Sequence, residues 1–428
     1  MGASTLLPSL AEQDFAQAFA RMRGGHPEGE REKAFARFSR AGLPTRKVES
    51  WHYTDLRGKL RQAPPLASAP TEADRVFAAS LRDREAATNT LKLVLVDGFF
   101  APDLSDDISA VAGLTVRALT AAQDSAALGE GVADALLDLN AVFAGDGVAI
   151  EIAAGARIEK PIEILSLCCA TGAQSRFSRQ WLTLGAGAQA ALLETRAEGV
   201  GGFGDSALFL DLGDDARLDY ACRCEGSAPV EVQSVVAILG ARSHLRATAL
   251  LADAPFLRRQ FYVNCRGEGA EVHLAGAALL SQQNHADTTL QVVHDAPSCF
   301  SRETFKYVLA DDAEGVFQGR IVAQPHAQKT DGKMLCRALV LSDKASMSVK
   351  PELEIFADDV ACGHGASCAK LDASELFYME SRGIPHAEAQ AILIEAFASE
   401  AFDILPDGLL RDVLQADLAR ILATGVFG

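Results

Sequence analysis

The 428-residue sequence has no apolar run near the roughly eighteen residues that a membrane-spanning helix needs. Its opening, MGASTLLPSLAEQDFAQAF, lacks the basic stretch followed by an apolar one that marks a secretory signal, so a cytoplasmic location and no membrane partner are expected. Basic residues are few relative to acidic ones: 40 Lys and Arg against 57 Asp and Glu leave a net charge of -17. A field of that sign does not neutralise phosphates, and no nucleic-acid partner is expected. No glycine-rich loop ends in Lys-Ser or Lys-Thr, which excludes ATP hydrolysis by this chain. No CxxC knuckle occurs, and nine scattered cysteines, an odd number, do not form a disulfide framework, so reduced thiols are expected.

What is present is ordinary for a soluble globular chain: 49% apolar and 23% charged residues, at a length that predicts two or three structural regions. Phe15, Phe19, Met22, Phe35 and Phe38 recur at three- and four-residue steps, which predicts two helices joined by a turn at Gly24, Gly25 and Pro27. Trp51 and Tyr53 follow as aromatic anchors of a connecting loop, and the Pro/Ala-rich residues 61–75 read as a linker. LKLVLV at 91–96, closed by Asp97-Gly98, predicts a buried strand and turn, and helical periodicity returns over 120–143.

From Val148 the chain changes character, with short alternating runs punctuated by Gly, Asp and Ala for more than two hundred residues. Aligning GAGAQA, GDDARL, GARSHL and GEGAEV places Ala188, Ala216, Ser243 and Ala270 at equivalent spots, 28, 27 and 27 residues apart. A fixed period with strands and no helices predicts a solenoid, because one rung cannot bury its own face. A parallel β-helix suits this better than a sandwich, whose hairpin signals such as Asn-Gly are missing. Regularity fades after Ala296, where the next turn candidate, Asp311-Asp312, comes too soon. Asp372 with Glu375 then predicts a helix start, Gly383 its end, Pro385 the start of another helix, and LLRDVLQADLARILA a third. The expected division is 1–145 mainly helical, 146–371 β-helix and 372–428 helical.

The chemistry concentrates in residues 350–372, KPELEIFADDVACGHGASCAKLD. Cys362, His364 and Cys368 are ligand types suited to zinc or iron, but three ligands need a fourth from elsewhere. On a strand, Cys362 and His364 project to the same face, which predicts an incomplete site that a second chain finishes. One buried cysteine and one hydrogen-bonded histidine is the plainer alternative. Asp358-Asp359 with Gly363-His364-Gly365 also suggests a β-helix polysaccharide hydrolase, although only five positions separate Asp359 from His364. A stand-alone metal-binding protein is a third reading. Cys222 and Cys224 share a strand face and read as solenoid filling. His285, His294 and His326 lie too far apart to read as a cluster.

The stretch 350–384, ending in LFYMESRGI, resembles the C-terminal signature of the SufD family, scaffold subunits of the SUF iron-sulfur cluster assembly machinery. GLPTRKVESWHYTDL, VDGFFAPDLS, LNAVFAGDGVAIEIAAGARIEKPIEI and AQKTDGKMLCRALVLS extend the resemblance over essentially the full length. The paralogous SufB family resembles EHEA where this chain has residues 363–366, GHGA. Gly363 and Cys368 depart from the commoner residues at their places, so Cys368 is the position with least support. The resemblance implies a mostly β, right-handed parallel β-helix flanked by N-terminal and C-terminal helical regions, and a non-enzymatic scaffold. It implies pairing with a SufB-like subunit, with His364 and Cys362 at a nascent cluster site on the interface. A SufC-like ATPase would dock on the C-terminal helices; for the isolated chain the oligomeric state is left open, a homodimer being one option. No permanent cofactor is implied beyond transient iron or an iron-sulfur cluster, with reduced flavin in the whole complex.

Overall fold

The computed structural model describes residues 7–22, 29–120, 132–170, 172–197, 202–225, 228–252 and 255–427. The N-terminal part supplies α1 (Leu10–Met22), α2 (Glu30–Ala41), the short α3 (Leu56–Lys59), α4 (Glu72–Glu85), β1 (Leu91–Val96), β2 (Phe99–Phe100), β3 (Leu114–Thr120) and α5 (Ala135–Phe143). Strands then run from β4 (Asp146–Ile152) and β5 (Ile162–Leu167) through β6 (Gln174–Leu184), β7 (Gln189–Ala197), β8 (Gly202–Leu212), β9 (Arg217–Glu225), β10 (Val230–Leu239) and β11 (His244–Ala252). They continue as β12 (Leu257–Cys265), β13 (Glu271–Leu280), β14 (His285–His294), β15 (Phe300–Leu309), β16 (Glu314–Ala323), β17 (Thr330–Val340), β18 (Ser346–Ile355) and β19 (Val360–Ala369). The helices α6 (Ala373–Ser381), α7 (His386–Ser399) and α8 (Leu409–Leu422) close the chain.

Even-numbered strands from β4 to β18 lie side by side in one sheet and odd-numbered strands from β5 to β19 in the other. Each circuit of the chain therefore lays one strand in each sheet, parallel to the strand before it. This is the parallel solenoid that the repeat predicts. Stacking is residue on residue: Ile150, Leu182, Leu210, Ala237, Val263, Val292, Ile321 and Leu353 form one inward ladder. All but the last are buried, since no strand covers Leu353. At the other end β1 and β3 extend the sheets, with antiparallel partners β2 and β4.

The repeat residues Ala188, Ala216, Ser243 and Ala270 are fully buried at one corner, each following a left-handed residue: Gly187, Asp215, Arg242 or Gly269. Two residues before each of these stands Gly185, Gly213, Gly240 or Gly267, against the backbone of the previous rung. A Cβ on Gly267 would lie 1.9 Å from the Ala241 nitrogen and one on Gly185 2.5 Å from the Ala154 nitrogen. The period does not fade after Ala296. It continues through Ser298-Cys299 and Lys329-Thr330, with Ser298 and Lys329 left-handed in turn. Asp311 belongs to the opposite corner, between β15 and β16, as Gln282 does between β13 and β14. The spacing grows as the odd-numbered strands lengthen from 9 residues in β11 to 10 in β15 and 11 in β17.

Two sequence expectations need correction. Among the described residues, the helix expected over 120–143 is α5, which Asp134 caps by accepting from the backbone N–H groups of Leu136 and Leu137, while Thr120 ends β3. Residues 121–131 and the turn at 24–27 lie outside the described residues. The linker expected over 61–75 ends early, because Thr71 and Asp74 form a capping box that starts α4.

Helices cover the outer faces of both sheets. Phe15 of α1, Phe38 of α2 and Phe143 of α5 pack with Phe177 and Phe203 on the even-strand sheet. Ile394, Leu414 and Leu418 of α7 and α8 pack with Leu250, Ala277 and Leu279 on the odd-strand sheet. The Trp51 segment is clamped by a buried ion pair: Arg258 and Asp287, both fully buried, meet at 2.6 Å. Arg258 also donates to the Ser50 carbonyl at 2.6 Å and lies 3.7 Å from the centre of the Trp51 ring, while Thr54 Oγ1 donates to Asp287 at 2.5 Å. Removing one partner strands the other charge in the interior. Asp287→Ala is therefore expected to cost about 3–5 kcal/mol of unfolding free energy by denaturant titration, whereas Asp287→Asn, which keeps a hydrogen-bonding oxygen, costs less.

Candidate functional site

Residues 350–372 form β18, β19 and the connection between them. A run rich in Gly, Ala and Ser becomes a strand here because β17 offers a complete edge: Thr330–Leu339 of β17 pair in register with Val360–Ala369. Cys362, His364, Ala366 and Cys368 stand opposite Gly332, Met334, Cys336 and Ala338, all of them buried. Alternation carries that inward direction to the next rung. Cys362 and His364 therefore share a face, as their spacing predicts, and look across the end of the solenoid interior. No later rung covers them: Cys362 is half-buried, and His364 and Cys368 are exposed. Strands β18 and β19 end their sheets, so both outer edges lack a strand partner among the described residues.

Cys368 lies six residues beyond Cys362 along the same strand face, with His364 between them. Among the described residues, no group of three or more His, Cys, Asp and Glu side chains is placed to hold a metal ion. Asp358 and Asp359 are exposed in the connection before β19, where the Asp359 carbonyl accepts from Lys329 N–H at 2.6 Å. His285 bonds Glu314, His294 bonds Ser301 and His326 bonds the Asp295 carbonyl, so these three histidines belong to separate local contacts. Cys222 and Cys224 are buried inside the solenoid, and burial pushes the Cys224 thiol up to about 11.

Beneath the end strand lies a polar group that sequence reasoning missed. Glu303, Met334 and His364 form one inward row across β15, β17 and β19, and Ser301, Gly332 and Cys362 form the next. Glu303 is fully buried with neither carboxyl oxygen hydrogen-bonded, and burial pushes it up to about 8, so it carries a proton at neutral pH. A hydrogen bond with Cys265, aided by His294, holds the buried Cys299 thiol down at about 5. Burial raises the Cys362 thiol, and the Asp331 and Glu303 carboxyls add to that; burial also raises Cys368. The one signal that could have found Glu303 is parity, since it shares the inward phase of Phe305 and Tyr307.

A family model described as SUF system FeS cluster assembly, SufBD core domain, matches residues 168–397, and one for the SufBD protein N-terminal region matches residues 26–164. The chain is similar to the iron-sulfur cluster assembly protein SufD of Escherichia coli, at 29% identity over 394 residues that span 90% of this chain and 91% of that protein. A SufBD family protein of Synechocystis is 26% identical over 393 residues, 87% of this chain and 86% of that protein. One from Mycobacterium tuberculosis is 29% identical over 233 residues, 52% of this chain and 58% of that protein.

Access and thiolate fraction together set thiol reactivity. With iodoacetamide on the folded chain, followed by peptide mass spectrometry, Cys368 and Cys362 are expected to label first. Cys299, despite its lowered pKa, should stay unlabelled until denaturant is added. Labelling of Cys362 should keep rising as pH passes 9, because its raised pKa leaves it mostly protonated below that.

Proposed function

Because the chain belongs to the SufBD family of the SUF iron-sulfur cluster assembly system, we propose that it is a non-enzymatic scaffold whose last strand carries half of a cluster-building site, completed by a SufB-like partner. The observation that carries this reading is the position of Cys362 and His364 on the uncovered rung β19. Free N–H and C=O groups on the outer edges of β18 and β19 suit strand addition by a second solenoid. Leu335 and Phe356, both exposed near that end, add apolar surface for such a partner to bury.

Iron and sulfide are the cargo in this reading. One thiolate and one neutral imidazole hold iron loosely, and the partner supplies the remaining thiolate ligands. Iron binding at Cys362 releases its proton, which ties loading to the arrival of metal. A site divided between two chains can be opened by moving the chains, which suits a product that has to leave. The second docking surface is α6, which has no buried residue and presents Phe377 at 71% and Tyr378 at 59% exposure. A SufC-like ATPase seated there would sit one short connection away from β19 and could transmit movement to it.

The hydrolase reading loses ground because Asp358 and Asp359 lie exposed in the turn, outside the inward row of His364.

His364→Ala is expected to leave folding and co-purification with the partner unchanged while lowering cluster formation several-fold, read as iron and acid-labile sulfide per complex. Full cluster yield in that variant would overturn the site assignment. Phe377→Asp should abolish ATPase co-purification without changing the melting temperature of the isolated chain; undiminished co-purification would remove α6 from the docking surface.

A further inference from the structure

The early rungs of the solenoid are apolar along one side of their interior and polar along the other. Arg196 of β7 donates to Glu194, Glu231 and Ser206, but its Nε has no hydrogen-bond partner. Arg176 of β6 is only 6% exposed and makes no ion pair among the described residues, and its Nη1 is likewise without a partner. The Ser166 hydroxyl is a third buried group of this kind. All three residues line one cavity of about 40 Å³, together with Cys168.

Charge in this interior is unevenly paired. Glu194 and Glu231 pair with Arg196, and Arg259 reaches Glu194, whereas the carboxyls that act on Arg176, those of Glu231 and Asp97, form no ion pair with it among the described residues. Asp205 also lines the cavity with its Oδ2 unpartnered, and burial pushes its carboxyl well above the usual range. The Cys168 thiol, pushed up by burial to about 11, is neutral and a weak donor. An unpaired buried charge is costly, and a water molecule satisfies hydrogen bonds without cancelling charge. A cavity of about 40 Å³ has room for a water-sized particle or a small ion.

We propose that this cavity is a binding site for a small monovalent anion of halide or hydrosulfide size, held by Arg176 Nη1, Arg196 Nε and the Ser166 hydroxyl. The site lies inside the solenoid and is independent of the Cys362 and His364 assignment. Thermal unfolding of the full chain is followed while bromide replaces gluconate at constant ionic strength, gluconate being too large to enter. The wild type is expected to show a saturable rise of about 3 °C. Arg176→Met, which removes the unpaired charge, should melt no lower than the wild type in gluconate and lose the bromide response. Hydrosulfide titrated anaerobically against bromide shows which anion the site prefers, a lower half-point identifying sulfide as the ligand. Crystals of the wild-type chain soaked in bromide should give an anomalous peak within hydrogen-bonding distance of Arg176 and Arg196. A cavity holding water alone, or the same bromide shift in both proteins, would overturn the proposal.

Discussion

Main-chain hydrogen bonding between successive rungs is the interaction on which everything else in this molecule depends. A rung of two short strands cannot bury its apolar residues alone; the ladder from Ile150 to Leu353 is dry only where a neighbour lies on each side. The two ends pose different problems. Near β1 and β3 the chain turns back on itself with antiparallel strands, and helices from the N-terminal part close over the outer surface. Among the described residues, no strand continues the stack past β18 and β19. The candidate site lies at that end, beside strand edges that lack a strand partner among the described residues.

Much of the architecture was legible because the corners repeat a physical requirement. A left-handed residue followed by a small buried one recurs at Ala188, Ala216, Ser243 and Ala270, and the glycines before them prevent collision with the rung below. The signal faded where strands lengthened and the corner residue became Cys299 or Thr330, neither of which resembles alanine in a sequence. Asp311 was misread for another reason: a solenoid has two corners per turn, and both accept left-handed residues. Strand alternation alone placed Cys362 and His364 on one face. Arg176, Arg196, Glu194 and Glu303 could not be found in this way. A charged residue in an alternating run reads as solvent-facing, and only the parity of its neighbours reveals that it points inward.

Buried polar groups here divide by what they do. Arg258 and Asp287 are fully paired, and they fasten the Trp51 segment to the solenoid, trading desolvation cost for a single docking geometry. Glu303 and the Arg176 cavity are incompletely paired and lie within the stack, where they contribute little to holding it together.

The glycine column at the corner has a consequence for inheritance. Gly185, Gly213, Gly240 and Gly267 each touch the backbone of the rung beneath, so a gain of one side chain at any of them displaces every rung above it. Single rungs can lengthen, as the later ones do, but the stack gains height only by a whole circuit of chain, corner included. The solenoid diversifies in quanta, and the distance between its closed beginning and its open end can differ between relatives only in whole strand spacings.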